Sequence, residues 1–211
     1  MAKLSQKKWL FELRRKAVHV VTGVVLMSMI WFLPEDINRL VMLLLLIIGV
    51  VLSTIEKQVK IPFISKLLDL FERDNARKTF PGKPLIMYIA SVLLLTLFFQ
   101  PLLCVAALSV VVFGDSLGHL IGLKYGRIEI PWDRTKHLEG RIVGILVSCF
   151  FMIVIWHAWH SDFWFSPKLY WKLLVGATVG MLVESLPLQK WRLDDNLVVP
   201  FITAVVIYFL V

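Results

Sequence analysis

PLLCVAALSVVVFGDSLGHLIGLKYGR, residues 101–127, begins as an uncharged apolar run and ends in an acid, a histidine and two basic residues. A soluble helix of that length needs a polar face. No charged residue occurs here before Asp115. The stretch therefore reads as a membrane span over 101–113, with room to continue to 121, and with an acid placed where hydrocarbon meets water. A carboxylate at that depth is costly, so a functional role is its default reading.

Working outward, six further apolar runs have the same character, at 18–33, 40–55, 85–99, 142–156, 169–186 and 197–211. Several fall short of the ~20 residues that cross a bilayer, which tilt and local thinning tolerate. Over the 211 residues, 58% are hydrophobic and 18% charged, with a net charge of +8. These values exclude disorder, collagen-like repeats and disulfide scaffolds. Basic residues cluster before the first run, in 56–84, in 124–141 and at Lys190 and Arg192; only Arg39, Lys168 and Lys172 fall on the other side. The positive-inside rule then predicts a cytoplasmic N-terminus, seven spans and an external C-terminus. The expected fold is all-α: one membrane-embedded domain over 1–211, with short amphipathic surface helices at 62–72 and 4–16. In the first of these, Ile64, Leu67, Leu68 and Phe71 form the apolar stripe. The N-terminal basic stretch lacks a small-residue cleavage site, so the first span is read as uncleaved. Cys104 and Cys149 read as buried small hydrophobes. His157 and His160 lie in a Trp-rich outer loop that reads as an interfacial belt rather than a metal site.

The remaining polar residues gather on the basic side. Asp115 and His119 share a helix face, as do Arg15 and His19. Gly114, Gly118, Gly122 and Gly126 recur every four residues. Close helix packing explains that stripe, and so does a bare backbone face for phosphates; Asp115 favours the second, because packing requires no acid. Lys136, Glu139 and Gly140 form a loop cluster suited to phosphate, although any cytoplasmic loop carries lysines. Asp194, Asp195 and Asn196 open the last run and offer the hard oxygens that Mg²⁺ takes alongside substrate phosphates. Helix capping needs one such residue, or two. Glu184 reads as a further ligand or as a side chain snorkelling toward Lys190 and Arg192. No P-loop, protein-kinase loop or HExxH motif occurs, and no internal repeat of the inverted-transporter kind. The combination fits phosphoryl or nucleotidyl transfer to a lipid.

RKAVH at 15–19, ERDNARKTFPGK at 72–83, GDSLGHLIGLKYGR at 114–127, KHLEG at 136–140 and LDDNLVVP at 193–200 together resemble the polyprenol kinase family. That family comprises dolichol kinases, phytol kinases and CTP-dependent diacylglycerol kinases; the chain looks most like its short microbial members. The resemblance implies transfer of the γ-phosphoryl group of CTP to a membrane lipid alcohol, with Mg²⁺ or another divalent cation. It maps catalysis to Asp115, Lys136 and Glu139, and the metal to Asp194, Asp195, Asn196 and Asp115. Nucleotide contacts fall on Arg15, Lys16, His19, Gly114, Gly122, Lys124, Gly126 and Gly140. The expected partners are the bilayer, CTP and the lipid alcohol, with no nucleic acid. The expected location is the plasma membrane of a microbe, with the site facing the cytoplasm. His137 and the Gly118–His119 pair depart from the family pattern. CDP-diacylglycerol synthases share a similar central region but end in a DRxxD-type segment, where this chain has DDNLVVP. A seven-span transporter would place polar residues near mid-bilayer, whereas these line one face.

Overall fold

The computed structural model describes residues 6–72, 80–160, 166–191 and 193–210. Each of the seven apolar runs lies in a helix. In chain order the elements are α1 (Gln6–Phe32), α2 (Glu35–Gln58), α3 (Pro62–Phe71), α4 (Lys83–Phe98) and α5 (Pro101–Ser109). A π-helical turn, Val110–Asp115, carries α5 without a break into α6 (Ser116–Tyr125). A short antiparallel hairpin follows, β1 (Glu129–Ile130) and β2 (Asp133–His137), then α7 (Leu138–His160), α8 (Pro167–Ser185) and α9 (Asp195–Leu210). A 3-10 turn, Leu188–Trp191, precedes α9. Prolines open α3, α4, α5 and α8 within their first two positions, where a missing N–H costs nothing. The Ser166 hydroxyl caps α8 by accepting from the Leu169 N–H at 3.3 Å.

Four helical stretches are long and apolar enough to cross a membrane: Trp9–Phe32, Glu35–Gln58, Pro101–Tyr125 and Leu138–His160. The helices Lys83–Phe98 and Asp195–Leu210 are apolar but shorter. The third long stretch is the hub: 78% of its apolar window is buried, against 17% in α2. On one side of it, Val105, Leu108 and Val112 pack with Leu26 and Ile30 of α1 and Val92 and Leu95 of α4. On the other, Ala106, Val110 and Val111 meet Met152 of α7, Leu173 and Met181 of α8, and Val199 and Ile207 of α9. The outer faces of α1 and α2 expose Val21, Val25, Leu44, Ile47 and Ile48, as a lipid-facing surface does.

Two expectations need correction. Residues 6–16 are not a separate surface helix but the first turns of α1, because nothing between Arg14 and Val18 breaks a helix. The all-α architecture stands, with one short hairpin beside the helices, paired Glu129 with His137 and Ile130 with Asp133. The glycine stripe is a packing surface. A Cβ on Gly118 would stand 2.5 Å from the Gly140 carbonyl, and one on Gly140 would stand 2.4 Å from the Gly118 carbonyl. Gly114 faces Ser148 and Gly144, and Gly122 faces Gly140. Helix α7 fills the face expected to admit phosphates, and Gly126 is closed off by His137 and the Gly122 carbonyl. The helix at 62–72 forms as α3; its Ile64, Leu68 and Phe71 are half-buried, while the Leu67 side chain and residues 73–79, with Arg73, Arg77 and Lys78, lie outside the described set.

Each of Gly118→Ala and Gly140→Ala should cost about 1–3 kcal/mol through overpacking against backbone that cannot move aside. Thermal unfolding of the detergent-solubilised protein measures this. Unchanged midpoints in both variants would mean that α6 and α7 are not in contact here.

Candidate functional site

The basic residues converge at one end of the bundle. Lys16 reaches across from α1 to form a buried ion pair with Asp115, at the end of the π turn. Their side chains are 7% and 12% exposed, so neither charge has bulk water to stabilise it. One turn earlier in α1, the buried carboxylate of Glu12 pairs with Arg15 at 2.7 Å and contacts His119 Nε2 at 3.3 Å. His19, one turn beyond Lys16, stacks on Tyr88 of α4 with ring centroids 4.9 Å apart. Its Nε2 and the Tyr88 hydroxyl are buried with no hydrogen-bond partner among the described residues.

A second ion group sits beside the first. Glu184, buried near the end of α8, contacts both Arg141 of α7 and Lys136 of β2, the latter at 3.0 Å. Lys136 also donates to the Glu184 carbonyl, and Trp132 Nε1 donates to the Ser185 carbonyl at 2.9 Å. These bonds pin the hairpin onto α8. Arg141 lies in the electrostatic field of Asp115, which couples the two groups. Burial, and then the Arg141 charge, pull the Lys136 ammonium below the ordinary lysine range.

Asp194, Asp195 and Asn196 stand at the start of α9. Asp194 pairs with Lys83 of α4 at 3.2 Å. The Asn196 N–H is shared between Asp194 Oδ1 at 3.2 Å and Asp195 Oδ1 at 3.1 Å. Burial, and then the adjacent Asp195, raise the Asp194 carboxyl above its usual range, and Lys83 only partly opposes this. Two crowded carboxylates with hard oxygens suit a Mg²⁺ that takes one or two protein ligands and completes its shell with water and phosphate. Asp115 does not join them: among the described residues no three His, Cys, Asp or Glu side chains converge as a metal cage. The four oxygen ligands expected from sequence thus stand at two places, Asp115 at the end of the π turn and Asp194, Asp195 and Asn196 at the start of α9.

Other expectations fare differently. Glu139 accepts from the Arg127 and Ile128 N–H groups at 2.8 and 3.2 Å, so its carboxylate is engaged in closing the hairpin. Lys124 is exposed and lies over the rings of Trp9 and Tyr125, at 5.8 and 5.1 Å. Gly114, Gly122, Gly126 and Gly140 are occupied by packing, as described above. Sequence reasoning missed Glu12, Lys83 and Arg141, and left Glu184 between two roles. For Arg141 and Glu184 the available signal was a charge at the edge of an apolar run. Arg192, the suggested partner of Glu184, lies outside the described residues.

No protein-family model matches the chain, and no solved structure matches it. Curated relatives do. A probable phytol kinase 3, chloroplastic, of Glycine max is 27% identical over 95% of this chain and 64% of its own length. A probable phytol kinase, chloroplastic, of Zea mays is 28% identical over 94% of this chain and 67% of its own. An uncharacterized protein of Methanocaldococcus jannaschii is 28% identical over 93% of this chain and 92% of its own. The chain thus spans just under two-thirds of the soybean relative. A likeness that runs across nearly the whole chain, and includes the helices that carry Lys16, Asp115 and Glu184, supports a place for it in the polyprenol and phytol kinase family.

Proposed function

We propose that this chain phosphorylates the hydroxyl of a membrane lipid alcohol, a phytol-like isoprenoid first among candidates, using CTP and a divalent cation. The observation that carries this reading is the buried Lys16–Asp115 pair at the basic end of apolar helices, in a chain similar to phytol kinases. A lipid hydroxyl rises only to the membrane boundary, and a polyanionic nucleotide cannot pass below it. The two substrates meet where the charged residues gather. Asp115 orients the hydroxyl and takes or shares its proton, while Lys16 and Lys136 offset phosphate charge. A divalent cation held by Asp194 and Asp195 would neutralise charge on the transferring group. The reading places seven spans with this end in the cytoplasm, an orientation the charge asymmetry supports, in the plasma membrane of a microbe.

Purified protein in micelles, given CTP or ATP labelled in the γ-phosphate and a panel of lipid alcohols, should move label into lipid, fastest with CTP. EDTA should stop the transfer and added Mg²⁺ should restore it. Incorporation of label from the α-phosphate instead would mean nucleotidyl transfer and overturn the reading.

Asp115→Asn should lower turnover by at least about two orders of magnitude, in the range general bases supply. That variant leaves Lys16 buried without its partner, a loss of about 3–5 kcal/mol in stability. The double variant Lys16→Met/Asp115→Asn should recover the melting temperature and remain inactive. Ordinary turnover in either would place the site elsewhere.

Asp194→Ala and Asp195→Ala should each abolish most turnover and raise the Mg²⁺ requirement of what remains. Wild-type rates in both would leave these residues as helix caps. Cysteines introduced singly near residues 132 and 190 should react with impermeant thiol reagents only from the cytoplasmic side. Labelling from outside would reverse the proposed orientation.

A further inference from the structure

At the basic end two cations converge on one buried carboxylate. Lys16 has Asp115, Arg15 has Glu12 and Lys83 has Asp194. Arg141 and Lys136 share the single carboxylate of Glu184. Lys136 also has Asp133 at 3.9 Å, while Asp115 and Asp133 reach Arg141 through their fields. Arg141 is 5% exposed and Glu184 is 4% exposed, so water screens this group little. The Arg141 Nε is also buried with no hydrogen-bond partner among the described residues. A buried guanidinium that shares its carboxylate with an ammonium and keeps a donor unused has capacity left for a further oxygen ligand. The depressed Lys136 agrees with this, since Arg141 contributes to it.

We propose that Arg141, oriented by Glu184 and assisted by Lys136, is a phosphate-binding residue, and that its ligand is a phosphate group presented at the membrane boundary. A guanidinium offers a planar fork of donors that matches two phosphate oxygens, which an ammonium does not. Glu184 is a positioning residue. Its carboxylate holds Arg141, and its backbone carbonyl and carboxylate hold Lys136, so both cations stay beside Asp115 when no ligand is bound. A nucleotide polyphosphate and a lipid monophosphate share this chemistry. Choosing between them rests on the phosphoryl-transfer reading above, but the anion site itself does not.

Thermal unfolding of the full chain in detergent, with inorganic pyrophosphate in one arm and a long-chain alkyl monophosphate in the other, tests the proposal without requiring turnover. Either anion should stabilise the wild-type protein. Pyrophosphate alone would assign the site to the nucleotide, and the alkyl phosphate alone to the lipid product. Arg141→Gln should weaken the effective anion by about ten- to hundredfold, the range of charge-assisted hydrogen bonds. It should leave the ligand-free midpoint unchanged or higher, because Glu184 keeps Lys136. Arg141→Lys should recover only part of the affinity. Glu184→Gln should lower the ligand-free midpoint and enlarge the stabilisation by anion, since two cations then lack a counter-charge. Equal responses in Arg141→Gln and wild type, or no response to either anion in wild type, would overturn the assignment. A failure of lipid phosphorylation with intact anion binding would overturn the kinase reading and leave this one standing.

Discussion

An ammonium and a carboxylate withdrawn from water must either meet or be neutralised, because each loses several kcal/mol of hydration that only the partner restores. Lys16 and Asp115 satisfy that constraint across 99 residues of sequence, and much of the bundle is arranged so that they can. Helix α1 has to lie along the hub helix at one angular setting for Lys16 to arrive. The hub has to turn its acid toward α1 while its other face stays packed on α7, α8 and α9. Loss of the pairing would leave the setting of the first helix to apolar contacts and to Glu12 on His119, one turn away.

The neighbouring charges extend the same logic. Glu12 sits one turn from Lys16 and engages His119 as well as its neighbour Arg15, so α1 and the hub helix are joined twice, by Lys16–Asp115 and by Glu12–His119. Lys83 and Asp194 join α4 to the start of α9. Glu184 joins α8 to α7 and to the hairpin. Helices whose outer surfaces match lipid have little hydrophobic incentive to choose one neighbour over another. Directional polar contacts at one end, and interlocking small residues such as Gly118 and Gly140 just below, supply the specificity.

Apolar runs and basic clusters made the helices legible in the sequence, because a span must satisfy its backbone internally and exclude charge. The charged end was legible for the same reason: Asp115, Lys136 and Asp194 are costly where they stand. Partners were not legible, since Lys16 with Asp115 or Lys83 with Asp194 depends on packing angles that local pattern does not encode. The glycine stripe misled because four-residue spacing describes a smooth helix face equally well whether a phosphate or another helix covers it. Gly118 and Gly140 show that the cover is a helix. The hairpin escaped notice because its strands are short and charged, with Lys136 and Trp132 anchoring them by tertiary bonds rather than by strand propensity.

The π turn at Val110–Asp115 has a consequence for how such chains are compared. It is an α-helix with one residue added, and its wider turn takes up the ~100° that an extra residue would otherwise impose on everything beyond it. The upstream half of the hub is locked between two apolar clusters and cannot rotate to absorb that phase. A relative lacking both the extra residue and the π turn would therefore still direct the counterpart of Asp115 at Lys16, with an apolar run one residue shorter. A single-residue gap elsewhere in the helix would wrongly change which face bears the acid. The gap should be placed within 110–115, rather than in a flanking loop, whenever such sequences are aligned or such helices are exchanged between proteins.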